Sequence, residues 1–185
     1  ARSAKVVIKL ALNALAQREF TPAKPSEQRV NLNASQIAGV DVLRLVFVGG
    51  VLASQYADLR HLPKGVSLDS LTVASSESHW SSVLSPDAQY PLSHIAFALC
   101  DEVLRITVAA GVVVEQPLHL HFFDGGPQTV SSTQVHIVLN QGSQLTVIEH
   151  HNGGTEAVSF SRVCISGEGT CNHLSIHQLA STALH

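Results

Sequence analysis

The chain has 185 residues, 11 Lys and Arg against 14 Asp and Glu, a formal charge of -3 and 45% hydrophobic residues. That length holds one well-packed domain with room for a small appendage, which excludes a large multidomain enzyme. The dispersed basic residues leave no electrostatic footprint for a phosphate backbone, so nucleic acid is not an expected partner. Nor is a membrane, because no apolar run reaches the ~18 residues that a span needs.

From Ser3 to Gln17 the apolar Val6, Val7, Leu10, Ala14 and Leu15 recur near a 3.6-residue period, which predicts a short one-faced helix. The same stretch carries lysines and no signal-type cleavage pattern, so a cytoplasmic origin is expected. The helix stops before Thr21-Pro22 and Lys24-Pro25, where proline removes backbone donors. Ser26 to Gly39 reads as a polar connection, giving an amino-terminal region over 1–40 and a β-rich region over 41–185.

Val42 to Val48 (VLRLVFV) followed by Gly49-Gly50 predicts a strand and a turn, since β-branched and aromatic residues dominate and glycine tolerates positive φ. A strand from Val66 to Ala74 follows the Leu62-Pro63-Lys64-Gly65 turn. The serine-rich stretch from Ser75 to Pro91 is expected to be a surface excursion ending in a short helix toward Leu99. Beyond it, strands are predicted at 103–108, 112–115, 118–123, 133–139, 144–149, 157–165 and 173–179, separated by glycine-containing turns. So many short strands with recurrent turns suit either a solenoid of β coils or a jelly roll.

Cys100, Cys164 and Cys171 are an odd number, which argues for reduced thiols rather than a secreted disulfide framework. Cys164 and Cys171 flank a Gly-containing turn and could meet across adjacent strands; their spacing is a weak metal signal, and two buried strand cysteines are the preferred reading. The chain holds 11 histidines. His119 and His121 share one face of a predicted strand, while His150 and His151 close another beside Glu149. Two imidazoles and a carboxylate make a credible transition-metal set, so His119, His121, His150 and His151 are the candidate metal ligands. One rival reading is therefore a metal-dependent, cupin-like jelly-roll enzyme using His119, His121 and His150. Against it, Phe122-Phe123-Asp124 follows the H-x-H pair without the glutamate, glycine and proline spacing of the cupin pattern. The bland reading places the histidines on a solvent-exposed sheet face or in contact with a partner.

A triad from Asp124, Ser131 and His136 requires free choice among many residues, and no G-x-S-x-G elbow supports it. The phosphate-binding glycine motifs are absent too, so nucleotide binding is not expected of this chain. Asp101, Glu102 and Glu115 supply too little for the paired carboxylates of a carbohydrate-processing solenoid.

An ordered series of segments carries a resemblance. Arg44 to Gly50 (RLVFVGG), Leu62 to Leu68 (LPKGVSL), Ile95-Ala96-Phe97-Ala98, Ile106-Thr107-Val108, Gly111 to Leu118 (GVVVEQPL) and Gln144 to His150 (QLTVIEH) together resemble the SufB/SufD family of iron-sulfur cluster assembly scaffolds, in its SufD branch. The resemblance implies a mainly β fold, a right-handed parallel β-helix behind a short amino-terminal helical segment. It implies a non-catalytic scaffold subunit that works with a paralogous SufB-like subunit and a SufC-like ABC ATPase.

Two departures stand out. The aromatic and basic segment that follows the family's amino-terminal helix is reduced to Arg18-Glu19-Phe20-Thr21-Pro22, and the sequence stops at His185 in what reads as mid-core. The natural chain is accordingly expected to be longer, with ATPase contacts and cluster-building residues in the later half. A homodimer through the last coil is the alternative way to cover an edge expected to expose an apolar cross-section. No cofactor is expected in these residues, and an iron-sulfur cluster belongs to the full complex.

Overall fold

The computed structural model describes residues 17–24, 30–32, 37, 39–72, 91–154 and 156–179. The helix expected from Ser3 to Gln17 and the excursion from Ser75 to Pro91 lie, except for Gln17 and Pro91, outside the described residues, as does most of the Ser26 to Gly39 connection. The described elements are β1 (Thr21–Pro22), β2 (Leu43–Val48), β3 (Val51–Leu52), β4 (Val66–Thr72), α1 (Pro91–Ala98), β5 (Glu102–Val108), β6 (Leu118–Phe123), β7 (Thr129–Leu139), β8 (Gln144–Gly153), β9 (Val158–Gly167) and β10 (Thr170–Leu179). The protein is mainly β, and the helix expected toward Leu99 is α1.

These strands form two mixed sheets. In the first, β4, β5, β7 and β9 lie side by side, with β1 pairing the start of β7. In the second the order is β3, β2, β6, β8, β10. From β5 onward consecutive strands alternate between the two sheets, and from β7 onward each pairs in parallel with the strand two before it. Among the described residues, antiparallel pairing is confined to two margins, β2 with β3 and β4 with β5. An antiparallel jelly roll, which the cupin-like reading requires, is therefore not the architecture formed.

Alternation along each strand sends one set of side chains between the sheets. Leu43, Leu45 and Phe47 of β2, Leu118, Leu120 and Phe122 of β6, and Leu145 and Val147 of β8 meet Leu104, Ile106, Val108, Val135, Ile137 and Leu139 of the first sheet in one apolar core. In-register pairing stacks like on like across the second sheet. Phe47, Phe122, His151 and His177 occupy one row, with ring centroids 5.0, 4.7 and 4.6 Å apart. The row above it reads Leu45, Leu120, Glu149, Ser175. The interior thus grows polar toward β10, contrary to the apolar cross-section expected of the last coil. Leu174, on the other face of β10, is nevertheless 55% exposed.

Turns impose this register. Gly50 adopts φ +94, and a Cβ there would come 2.6 Å from the Ser132 carbonyl oxygen. Gly167 adopts φ +115, packed so closely that a Cβ would overlap the Leu139 carbonyl oxygen. Asp124 ties two loops: its carboxylate accepts from Gly126 N–H at 2.9 Å and also from Gly154 N–H.

Two expectations need correction. Val112 to Glu115 is not a strand; only Val113 bridges Gln144, because Val113 is 56% exposed and has no second face to bury. Cys164 and Cys171 do not sit on adjacent strands. Cys164 is on β9, opposite His136, and Cys171 is on β10, opposite Leu145, so the sheets' alternation separates them.

Candidate functional site

The four candidate histidines divide between two faces of one sheet. His119 and His121 on β6 and His150 on β8 share the outer face, while His151 points into the interior with Glu149. The register places His121 directly beside His150 and places His119 beside Arg44 and Ile148. Ring centroids are 5.2 Å apart for His119 and His121, 5.5 Å for His119 and His150, and 4.7 Å for His121 and His150. Phe123 continues the group, its ring 4.2 Å from that of His121.

These three histidines are not exposed to solvent, contrary to the first of the two bland alternatives. His119, His121 and His150 retain 1%, 0% and 3% of their accessible surface. Part of the same face is covered by Ala53, Tyr56, Val30 and Leu32, which pack with Val46, Val48 and Phe123. Burial, then the neighbouring His150 and Arg44, push His119 down to about 4. Burial, then His150 and His119, push His121 down to about 3. Both rings are therefore neutral at physiological pH. Both ring nitrogens of His119 and both of His150 are buried without a hydrogen-bond partner. Each such atom costs about 1–3 kcal/mol of desolvation, so the group is expensive as it stands. Among the described residues no group of three His, Cys, Asp or Glu side chains is already arranged to hold a metal ion.

On the inner face a second group forms that the sequence reading did not assemble. Glu149 Oε2 lies 3.1 Å from His151 Nε2, and Glu149 Oε1 lies 2.5 Å from His173 Nε2. His151 Nδ1 lies 3.4 Å from Ser161 Oγ, and the Ser175 hydroxyl is 2.9 Å from His177 Nε2. Burial works to raise the Glu149 carboxyl, but hydrogen bonding to His151 and the charges of His173 and His151 outweigh it and hold the group below the usual carboxylate range. The available signal was period two: Glu149 and His151, like His173, Ser175 and His177, fall on one strand face when counted by twos. The carboxylate bridges two imidazoles, a bonded network rather than an open coordination sphere.

The remaining candidates do not converge. Ser131 Oγ bonds Ser159 Oγ at 3.0 Å, His136 Nε2 lies 2.8 Å from Ser166 Oγ, and Asp124 is engaged by loop amides. These three residues form no relay. Cys100 is buried, and its thiol is pushed up to about 11 chiefly by that burial, leaving little reactive thiolate. Among the described residues no helix is long and apolar enough to cross a membrane. Compared with known families and with curated proteins, the chain matches no family model and no curated protein.

Proposed function

We propose that this chain is a non-catalytic scaffold subunit of an iron-sulfur cluster assembly complex, built on a right-handed parallel β-helix. The observation that carries the reading is the strand order. From β5 to β10 consecutive strands alternate between the two sheets, and each of β7, β8, β9 and β10 pairs in parallel with the strand two before it, as successive coils of a solenoid do. Right-handedness follows the general preference of parallel crossovers. The ordered SufB/SufD-like segments support the same reading: RLVFVGG supplies β2 and its turn, ITV the end of β5, and QLTVIEH most of β8.

On this reading the rigid strands hold the geometry of an interface with a paralogous scaffold subunit and an ABC-type ATPase. The contribution of this chain is mechanical. It offers a stiff, in-register stack against which a partner's ATP-driven movement works. The test is affinity isolation of the natural gene product from its own cells, with mass spectrometry of all bound proteins. Recovery of a paralogous scaffold and an ABC-type ATPase in fixed ratio is the expected result. Recovery of neither, from a bait that is otherwise folded, overturns the assignment.

A further inference from the structure

We propose that His119, His121 and His150 are the three nitrogen donors of a buried transition-metal site of the zinc class. The proposal is independent of the scaffold reading. It rests first on spacing. With metal–nitrogen bonds of about 2.0–2.1 Å, imidazole centroids lie about 3.2 Å from the ion and about 5.2 Å from one another at tetrahedral angles. The observed centroid separations are 5.2, 5.5 and 4.7 Å. The centroids of three rings from two adjacent parallel strands thus have the spacing a shared ion requires, while their stacked planes keep the nitrogens from converging until the rings turn.

It rests second on unspent donors. His119 and His150 keep both ring nitrogens buried without a hydrogen-bond partner. All three rings are buried, with 1%, 0% and 3% of their surface accessible, and neutral imidazole is the ligand form. The rings lie within 28° of parallel. Loading accordingly turns them about Cβ–Cγ until one nitrogen of each faces a common centre. Three protein ligands leave the fourth position of a tetrahedral ion open. Arg44, beside His119 in the sheet register, adds positive charge there, so the fourth ligand is a small anion rather than a neutral molecule. The network of Glu149, His151 and His173 on the opposite face is already satisfied and is the internal control.

Because the site is enclosed, it loads during folding. The experiment is to unfold the protein with a chelator present, remove the chelator, and refold with and without cobalt(II) or zinc(II). Visible ligand-field absorption, equimolar retained metal after gel filtration, and a higher thermal midpoint are expected. His150→Leu and His121→Phe abolish the absorption, whereas His173→Gln leaves it unchanged. If either outer-face variant fails to fold, nitrogen-detected NMR of wild-type imidazoles decides: zinc must shift three of the 11 histidines and leave the rest in place. Refolded protein that retains no metal overturns the proposal. So does absorption that survives in His121→Phe and disappears in His173→Gln.

Discussion

Acid should unfold this protein early, and the outer histidines set the scale. His119 and His121 sit at about 4 and about 3 in the folded chain, against an ordinary 6.5 when unfolded. Below pH 6.5 the unfolded state therefore binds protons that the folded state refuses, so stability falls as pH falls from 6.5 toward the folded values. Each unmatched proton costs about 1.4 kcal/mol per pH unit once the unfolded imidazole is fully charged. By pH 5 the loss is about 2 kcal/mol for each ring, or about 4 kcal/mol for the pair. That is a large share of the ~5–15 kcal/mol that holds a typical domain folded. The measurement is urea denaturation of metal-free protein at intervals between pH 8 and pH 5. His119→Leu combined with His121→Phe should flatten the profile by most of that amount. A wild-type stability that varies by less than about 1 kcal/mol over this interval would refute the neutral, buried assignment of these rings.

The core and its turns give further tests. Phe122, stacked between Phe47 and His151 at 5.0 and 4.7 Å, should cost about 3–5 kcal/mol as Phe122→Ala; Phe122→Leu, which keeps most of the volume, should cost clearly less in the same denaturation assay. Gly50→Ala meets both a left-handed φ and the Ser132 carbonyl oxygen at 2.6 Å, so it should destabilise by about 1–3 kcal/mol, whereas Gly111→Ala, which has open space around it, should cost only the backbone strain of its positive φ. Asp124→Ala leaves the Gly126 and Gly154 amides unpaired; a loss of about 1.5–3 kcal/mol is expected, together with faster amide exchange at both glycines.

Strand centres were legible because β-branched runs end at glycine turns: 118–123 matches β6 residue for residue, and 103–108 and 144–149 lie within β5 and β8. Strand lengths were not. β7 begins at Thr129 rather than at residue 133, because Ser131 and Ser132 are buried through hydrogen bonds to Ser159 and to the Ala96 carbonyl, which hydropathy does not register. The pairing partners were invisible for a deeper reason. Parallel neighbours are two or more elements apart in the chain, so no local turn reports them. The histidines show the same divide. Period two put His119 and His121 on one face, and adjacency hid that His150 and His151 serve opposite faces. That the outer face is buried at these histidines depends on what packs over the sheet, which strand periodicity cannot carry.

The two faces of β8 should fail in separate acid windows, and this separation tests the whole arrangement. Glu149 is held below the ordinary 4.5 by its imidazole partners. A depressed carboxyl contributes stability that is complete above the unfolded value and is lost as pH falls through the folded one. Its contribution is thus intact across the interval in which the outer histidines are already costing stability, and it disappears only below about pH 4.5. Glu149→Gln should therefore lower stability at pH 7, where it removes the anionic partner of His151 and His173, and the deficit should shrink as pH drops below 4.5. Side-chain carboxyl NMR supplies the microscopic check, since His173→Gln should move the Glu149 midpoint upward while His150→Leu leaves it in place. A Glu149→Gln deficit that stays constant through the acid range would mean that the carboxylate gains nothing from its imidazoles. In that case the polar rows of β8 and β10 would be packing elements and not an electrostatic network.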